Sequence, residues 1–115
     1  MEPSAEQITA VEAWLQEAFP AASVTSDGDF TSESRWFRAR EPGSSGPAPQ
    51  LVVSYEAFED HAAERIVAAL ERLRAAHRLG AHPGERLMLD RQLRLMPAPR
   101  RAAGDELLGP LPARR

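Results

Sequence analysis

A long amphipathic segment lying between two strand-like segments constrains the fold of this chain more than any other feature. In EAFEDHAAERIVAALERLRAAHRLG, apolar residues recur every three or four positions, acidic residues come early and basic residues come late, as the helix dipole favours. This pattern predicts one helix from about Tyr55 to Leu79, ended by Gly80. Its apolar stripe consists of Phe58, Ala62, Ile66, Ala69, Leu70, Leu73 and His77.

The segments on either side of this helix have the composition and period of strands. Residues 50–55 are rich in apolar and β-branched residues, and four leucines alternate with other residues between Leu87 and Leu95, which predicts a single strand with one buried face. If the two strands are parallel in one sheet, the helix is a right-handed crossover connection. Upstream, residues 35–40 predict another strand, and 22–31 a weaker one that ends in a turn at Asp27-Gly28.

The first helix is predicted from its capping signal and its period. Ser4 followed by Gln7 fits a capping box, and Pro20 cannot continue a helix. The predicted helix therefore extends from about Ser4 to Phe19. Its apolar face is formed by Ile8, Val11, Leu15 and Phe19.

These elements predict one small α+β domain in the order α-β-β-β-α-β, with two helices on one face of a mixed sheet of three or four strands. The length of 115 residues and the 43% hydrophobic content fit a single globular domain. We assign residues 1–96 to this domain and 97–115 to a disordered, Pro- and Arg-rich C-terminal tail. Three leucines in the tail are predicted to dock onto the domain or onto a partner: Leu107, Leu108 and Leu111.

Composition excludes several classes of site. The chain has no cysteine, so disulfides and thiolate metal sites are impossible, and no apolar run is long enough to span a bilayer. His61, His77 and His82 are too poorly spaced to predict a metal site. There is no nucleophile elbow or phosphate-binding glycine loop, which favours a non-catalytic protein without a cofactor. The absence of lysine and asparagine is typical of a GC-rich bacterial genome, and we predict a cytoplasmic protein.

Charge is distributed unevenly along the chain. Residues 1–34 contain seven acidic residues and no basic one, whereas the remainder has an excess of arginine over acidic residues. Two interpretations remain open. An acidic first helix neutralises a basic sheet within the molecule, or it offers a negative face to a basic partner.

The stretch SRWFRARE is the candidate binding segment. Because side chains alternate between the two faces of a strand, Phe37 is predicted to face the helices, whereas Trp36, Arg38 and Arg40 face away from them. Arg94 and the apolar residues Met88 and Val52 are predicted to join them on this face. Tryptophan and arginine are the residues most enriched at binding hot spots. The proline-rich loop at 42–49 would lie at the rim of this surface.

Three interpretations of this surface are compatible with the sequence. The arginines pair with Glu41, Glu85 or Asp90 while Trp36 covers apolar residues, or the surface binds a protein, or it binds single-stranded nucleic acid. The isoelectric point of about 5.6 and the acidic first third disfavour a polyanion. We therefore predict a protein-binding or regulatory module whose partner is another protein or a second copy. A nucleic-acid-binding protein using Trp36, Arg38 and Arg40 is the alternative.

Overall fold

The computed structural model describes residues 2–82 and 84–98, which form a mixed α+β fold. The described elements are α1 Ala5–Ala18, β1 Ser23–Asp29, β2 Ser34–Arg40, β3 Gln50–Ser54, α2 Tyr55–Asp60, α3 Ala63–Arg72, α4 Ala75–Ala81, β4 Arg86–Leu89 and β5 Leu95–Pro97. The strands form one sheet in chain order, parallel between β3 and β4 and antiparallel elsewhere. The α+β class and the mixed sheet confirm the prediction. The predicted count of three or four strands and two helices is wrong.

Helix α1 begins and ends where its local signals predict. The Ser4 hydroxyl accepts a hydrogen bond from the Gln7 amide, and the Gln7 side chain accepts one from the Ser4 amide. Phe19 is the C-cap and Pro20 follows it. These contacts are local in sequence, so this helix was predictable from sequence alone.

The core lies between one face of the sheet and the helices. Phe37, Leu51 and Leu87 point from three adjacent strands into it and are fully buried. Leu15 of α1 and Leu70 of α3 cover them from the helical side. Phe37 therefore faces the helices, as the strand alternation predicts. Within residues 2–82 and 84–98, no helix combines the length and apolarity that crossing a membrane requires.

The predicted helix over residues 55–79 is in fact three short helices. The prediction is correct for the middle of the apolar stripe, where Ile66, Ala69 and Leu70 are buried. It is wrong for Ala62 and His77, which are exposed. Breaks at 61–62 and 73–74 change the direction of the chain, so a single helical period cannot describe all three segments.

The first break is stabilised by a distant side chain. Gln7 Nε2 of α1 donates to the carbonyl oxygens of Phe58 at 2.7 Å and His61 at 2.9 Å. The His61 ring forms a further hydrogen bond with the Arg91 carbonyl oxygen at 2.9 Å. The two bonds from Gln7 satisfy carbonyl groups that a continuous helix would pair internally, and the His61 ring links this break to the β4–β5 turn.

The second break is a backbone turn. Arg74 adopts the left-handed conformation with φ of 57°. A non-glycine residue in this region is unfavourable by roughly 1–3 kcal/mol and persists only where tertiary contacts compensate. Here the turn directs Ala75 and Leu79 of α4 into the core, where both are fully buried.

The predicted strand from Leu87 to Leu95 is a hairpin of two strands. The Asp90 carboxylate accepts hydrogen bonds from the Gln92 and Arg94 amides, and Leu93 has a φ of 60°. This turn returns the chain, so β5 pairs antiparallel with β4. The leucines still alternate toward the core, which explains why the pattern resembled one strand.

Arg91 at the tip of this hairpin contacts α2. Its Nε donates to Asp60 Oδ2 at 2.6 Å, and its guanidinium lies 3.7 Å from Glu56. The hydrogen bond to Asp60 raises the pKa of Arg91, with the nearby carboxylates acting in the same direction, so the side chain stays charged. The hairpin is thereby linked to α2, the first helix of the connection between the parallel strands β3 and β4.

The turn predicted at Asp27-Gly28 is also wrong, because both residues continue β1. The turn follows Asp29, whose carboxylate accepts hydrogen bonds from the Thr31 amide and the Ser32 hydroxyl. Gly28 instead allows close packing, since a Cβ there would lie 2.8 Å from the Tyr55 hydroxyl oxygen. The predicted disordered tail over 97–115 lies outside the described residues from 99 onward, and Pro97 belongs to β5.

We expect Leu70→Ala to lower the free energy of unfolding by about 2–5 kcal/mol, because it removes a fully buried side chain and leaves a cavity. Phe30→Ala is the control, since Phe30 is 75% exposed and its loss should change stability by about 0.5 kcal/mol or less. Urea unfolding followed by circular dichroism measures both. Equal effects of the two substitutions would contradict the core described above.

Gly28→Ala should destabilise the protein because of its contact with Tyr55. Replacing glycine by alanine inside a strand is ordinarily favourable, since it restricts the unfolded chain. The 2.8 Å approach of the new Cβ to the Tyr55 hydroxyl reverses that sign, because the rigid ring of this buried residue cannot move aside. In a Tyr55→Phe background the cost of Gly28→Ala should fall, and a double-mutant cycle by urea unfolding measures this coupling. Additive effects would show that the hydroxyl is not the obstacle.

Tyr55, the only tyrosine, makes stability sensitive to alkaline pH. Burial raises its pKa above the ordinary value, and Glu2, Asp29 and Asp27 add to this while Arg35 opposes it. The unfolded chain therefore loses the phenolic proton first, so the stabilisation is present below pH about 10 and declines as pH rises toward the folded-state pKa. Phenolate absorbance should show this titration directly. Tyr55→Phe should flatten the alkaline decline, and an unchanged decline would contradict the assignment.

Candidate functional site

The face of the sheet opposite the helices carries the candidate surface. Strand register places Trp36 of β2 beside Val52 of β3, Val52 beside Met88 of β4, and Met88 beside Met96 of β5. These residues alternate with the core residues of their strands and lie outside the core cluster. They form an apolar row across four strands, with Asp27 of β1 at its end.

Basic side chains follow the neighbouring row. Arg38 is beside Gln50 on β3, and Gln50 is beside Arg86 on β4. The Arg38 guanidinium carbon lies 5.4 Å from the centroid of the Trp36 ring, within cation–π distance. Both side chains are half-buried. We define the tryptophan face as six residues of these two rows: Trp36, Arg38, Val52, Arg86, Met88 and Met96.

The centre of this row is closely packed. Val52 is only 9% exposed although it points away from the helices, because its cross-strand neighbours are the large side chains of Trp36 and Met88. The row is fixed to strands whose other residues, such as Phe37 and Leu51, are anchored in the core. The strands of the tryptophan face are therefore held in place by the core on their other side.

Arg40 lies at the end of β2 and contacts the following loop. It is exposed, and its guanidinium donates to the carbonyl oxygens of Ser44 at 3.4 Å and Gly46 at 3.3 Å. The structure therefore places the Pro- and Gly-rich loop at the rim, beside Arg40. These contacts hold the Arg40 guanidinium against the loop, so it has fewer free donors for a ligand than the Arg38 guanidinium.

Arg94 is not adjacent to Trp36. It follows the turn of the β4–β5 hairpin, where its guanidinium donates to Asp90 at 3.1 Å and to Gln92 at 3.4 Å. Pairing with Asp90 was among the interpretations open from the sequence. Of the four predicted residues, only Trp36 and Arg38 are in direct contact.

Met96 and Arg86 are members of the tryptophan face that sequence reasoning did not single out. Arg86 has the same strand parity as Met88 and begins β4, so alternation alone was a usable signal. Met96 could be placed on this face only with the knowledge that the chain reverses after Asp90, which the alternation of a strand does not show.

The surface combines an amphipathic aromatic, apolar side chains and two arginines, which suits contact with an apolar and acidic group. The chain matches no known family, no curated protein and no solved structure in comparisons with all three.

Proposed function

We propose that this protein is a non-catalytic protein-binding or regulatory module that binds its partner through the tryptophan face. The observation that carries the proposal is the half-buried Trp36 with Arg38 over its ring, at the end of an apolar row on the sheet face opposite the helices of residues 2–82 and 84–98. Tryptophan and arginine contribute large amphipathic contact surfaces, and flanking apolar side chains exclude water from them.

The arginines on this surface indicate which side chains a partner would need. Arg38 and Arg86 flank the apolar row, and Arg40 lies at the end of the same strand face. Apolar and acidic side chains complement this arrangement, because carboxylates near the guanidinium groups steer association while the centre supplies affinity. We therefore propose a partner segment with a large apolar side chain flanked by Asp or Glu.

The alternative function is single-stranded nucleic-acid binding on the same surface. A tryptophan ring beside arginines provides both stacking and phosphate contacts, which favours this alternative. Asp27 lies directly across from Trp36, however, and Asp29 follows on the same strand face. These carboxylates oppose a polyanion, which is why protein binding ranks first.

A peptide-display selection tests the proposal with defined ligands. A random peptide library selected on the wild-type protein, with counter-selection on Trp36→Ala, should enrich apolar residues flanked by acidic ones. Synthetic copies of enriched peptides should bind Trp36→Ala at least about tenfold more weakly by calorimetry, as expected for a hot spot. Arg38→Ala should reduce affinity mainly at low salt. Phe30→Ala, which removes an exposed aromatic outside the tryptophan face, is the matched control.

Two outcomes would contradict the proposal, and a third would identify the partner as a second copy of this chain. Peptides that bind Trp36→Ala as well as wild type would locate binding elsewhere. Steeply salt-dependent binding of oligothymidylate or oligouridylate, lost in Arg38→Ala, would favour the nucleic-acid alternative. Concentration-dependent mass in sedimentation, abolished by Trp36→Ala, would show that the partner is a second copy.

A further inference from the structure

A second surface lies on the helical side of the molecule, away from the tryptophan face. Helices α1 and α3 form a groove of about 430 Å³. Its lining is apolar at the centre and acidic at the margins. The apolar members are Ala10, Ala13, Trp14, Ala63 and Val67, and the acidic members are Glu6, Glu17, Glu64 and Glu71.

The four carboxylates distinguish this groove from an ordinary helix junction. No basic side chain lines the groove, and within residues 2–82 and 84–98 none of the four is paired with an arginine. Glu12 of the same helix behaves differently, because it points to the sheet and accepts a hydrogen bond from Ser26 at 2.6 Å. The groove therefore concentrates uncompensated negative charge around an apolar floor.

We propose that this groove binds the C-terminal segment 107–115 of the same chain. The segment, LLGPLPARR, combines three leucines with two terminal arginines, which complements an apolar floor rimmed by glutamates. Pro110 and Pro112 favour the polyproline II conformation, in which residues three apart share a face. In that conformation Leu108, Leu111 and Arg114 point to the same side. The leucines contact the floor and the arginine reaches the rim.

The chain is long enough to reach the groove. The Ala98 amide donates to the Arg86 carbonyl at 2.7 Å, at the end of the sheet where β1 begins on the opposite edge. The C-terminal end of α1, which carries Glu17, precedes β1 at that same end. A strand spacing of about 4.8 Å separates the two sheet edges by about 19 Å. The eight residues 99–106 span up to about 26 Å, so Leu107 can reach the groove.

Covalent attachment makes this occupant the favoured one. A tethered segment acts at an effective concentration in the millimolar range, so weak contacts suffice for docking. An untethered peptide of the same chemistry would have to exceed that concentration to displace it.

A spin-label experiment tests the docking in the full chain. Because the protein has no cysteine, Ala113→Cys provides a single attachment point for a nitroxide. We expect the label to remove most of the peak intensity from the amide resonances of Ala10, Ala13 and Val67, while Met88 and Met96 on the tryptophan face keep theirs. Adding Leu108→Ser and Leu111→Ser should restore the lost intensities.

Charge-neutral variants of the groove provide the matched test. Glu17→Gln with Glu71→Gln should weaken the broadening and its sensitivity to salt, whereas Glu33→Gln, an exposed acid in the β1–β2 turn, should leave it unchanged. The three substituted glutamates are exposed, so their replacement should leave stability unchanged. Urea unfolding of each variant checks that the fold is intact. Broadening that is absent, uniform or centred on the tryptophan face would overturn the proposal. Broadening that appears when a labelled copy is mixed with an unlabelled isotopic copy would assign the groove to a second molecule instead.

Discussion

The parallel pairing of β3 with β4 is the contact on which the rest of the structure depends. β3 is the middle strand of the sheet, and residues 50–53 are buried on both of its faces. Parallel neighbours require a long connection, which must cross from one end of the sheet to the other. Helices α2, α3 and α4 provide it and cover one face. Among residues 2–82 and 84–98, the other face is formed by side chains of the strands.

The two sides of the sheet also carry two separate charged clusters. Arg38 and Arg86 lie on the tryptophan face, whereas Glu6 and Glu17 lie at the groove on the helical side. The two interpretations of the acidic N-terminal third each describe part of the structure. Glu12 accepts a hydrogen bond from the Ser26 hydroxyl, which in turn accepts hydrogen bonds from Arg35, whereas other acids of the same helix line a groove that has no arginine in its lining.

Several elements followed directly from sequence because their determinants are local. The capping box of Ser4 and Gln7 defines the start of α1, and Pro20 limits its end. Alternation in β2 places Phe37 in the core and Trp36 on the opposite face. For the candidate site, alternation was therefore enough to bring Trp36 and Arg38 together. It could not place Arg94, whose position depends on the hairpin turn at Asp90.

By itself the sequence determined the α+β class, the first helix and the alternation within strands, because hydrophobic period and capping act over a few residues. The tertiary structure decided where the long amphipathic segment breaks. It also decided that Gly28 lies inside a strand, in close contact with another side chain, and not in a turn. Gln7 contacts residues more than fifty positions away at the first break, and Tyr55 occupies the space beside Gly28. Such contacts join residues that have no periodic relation in the chain, so only the folded arrangement of helices on the sheet reveals them.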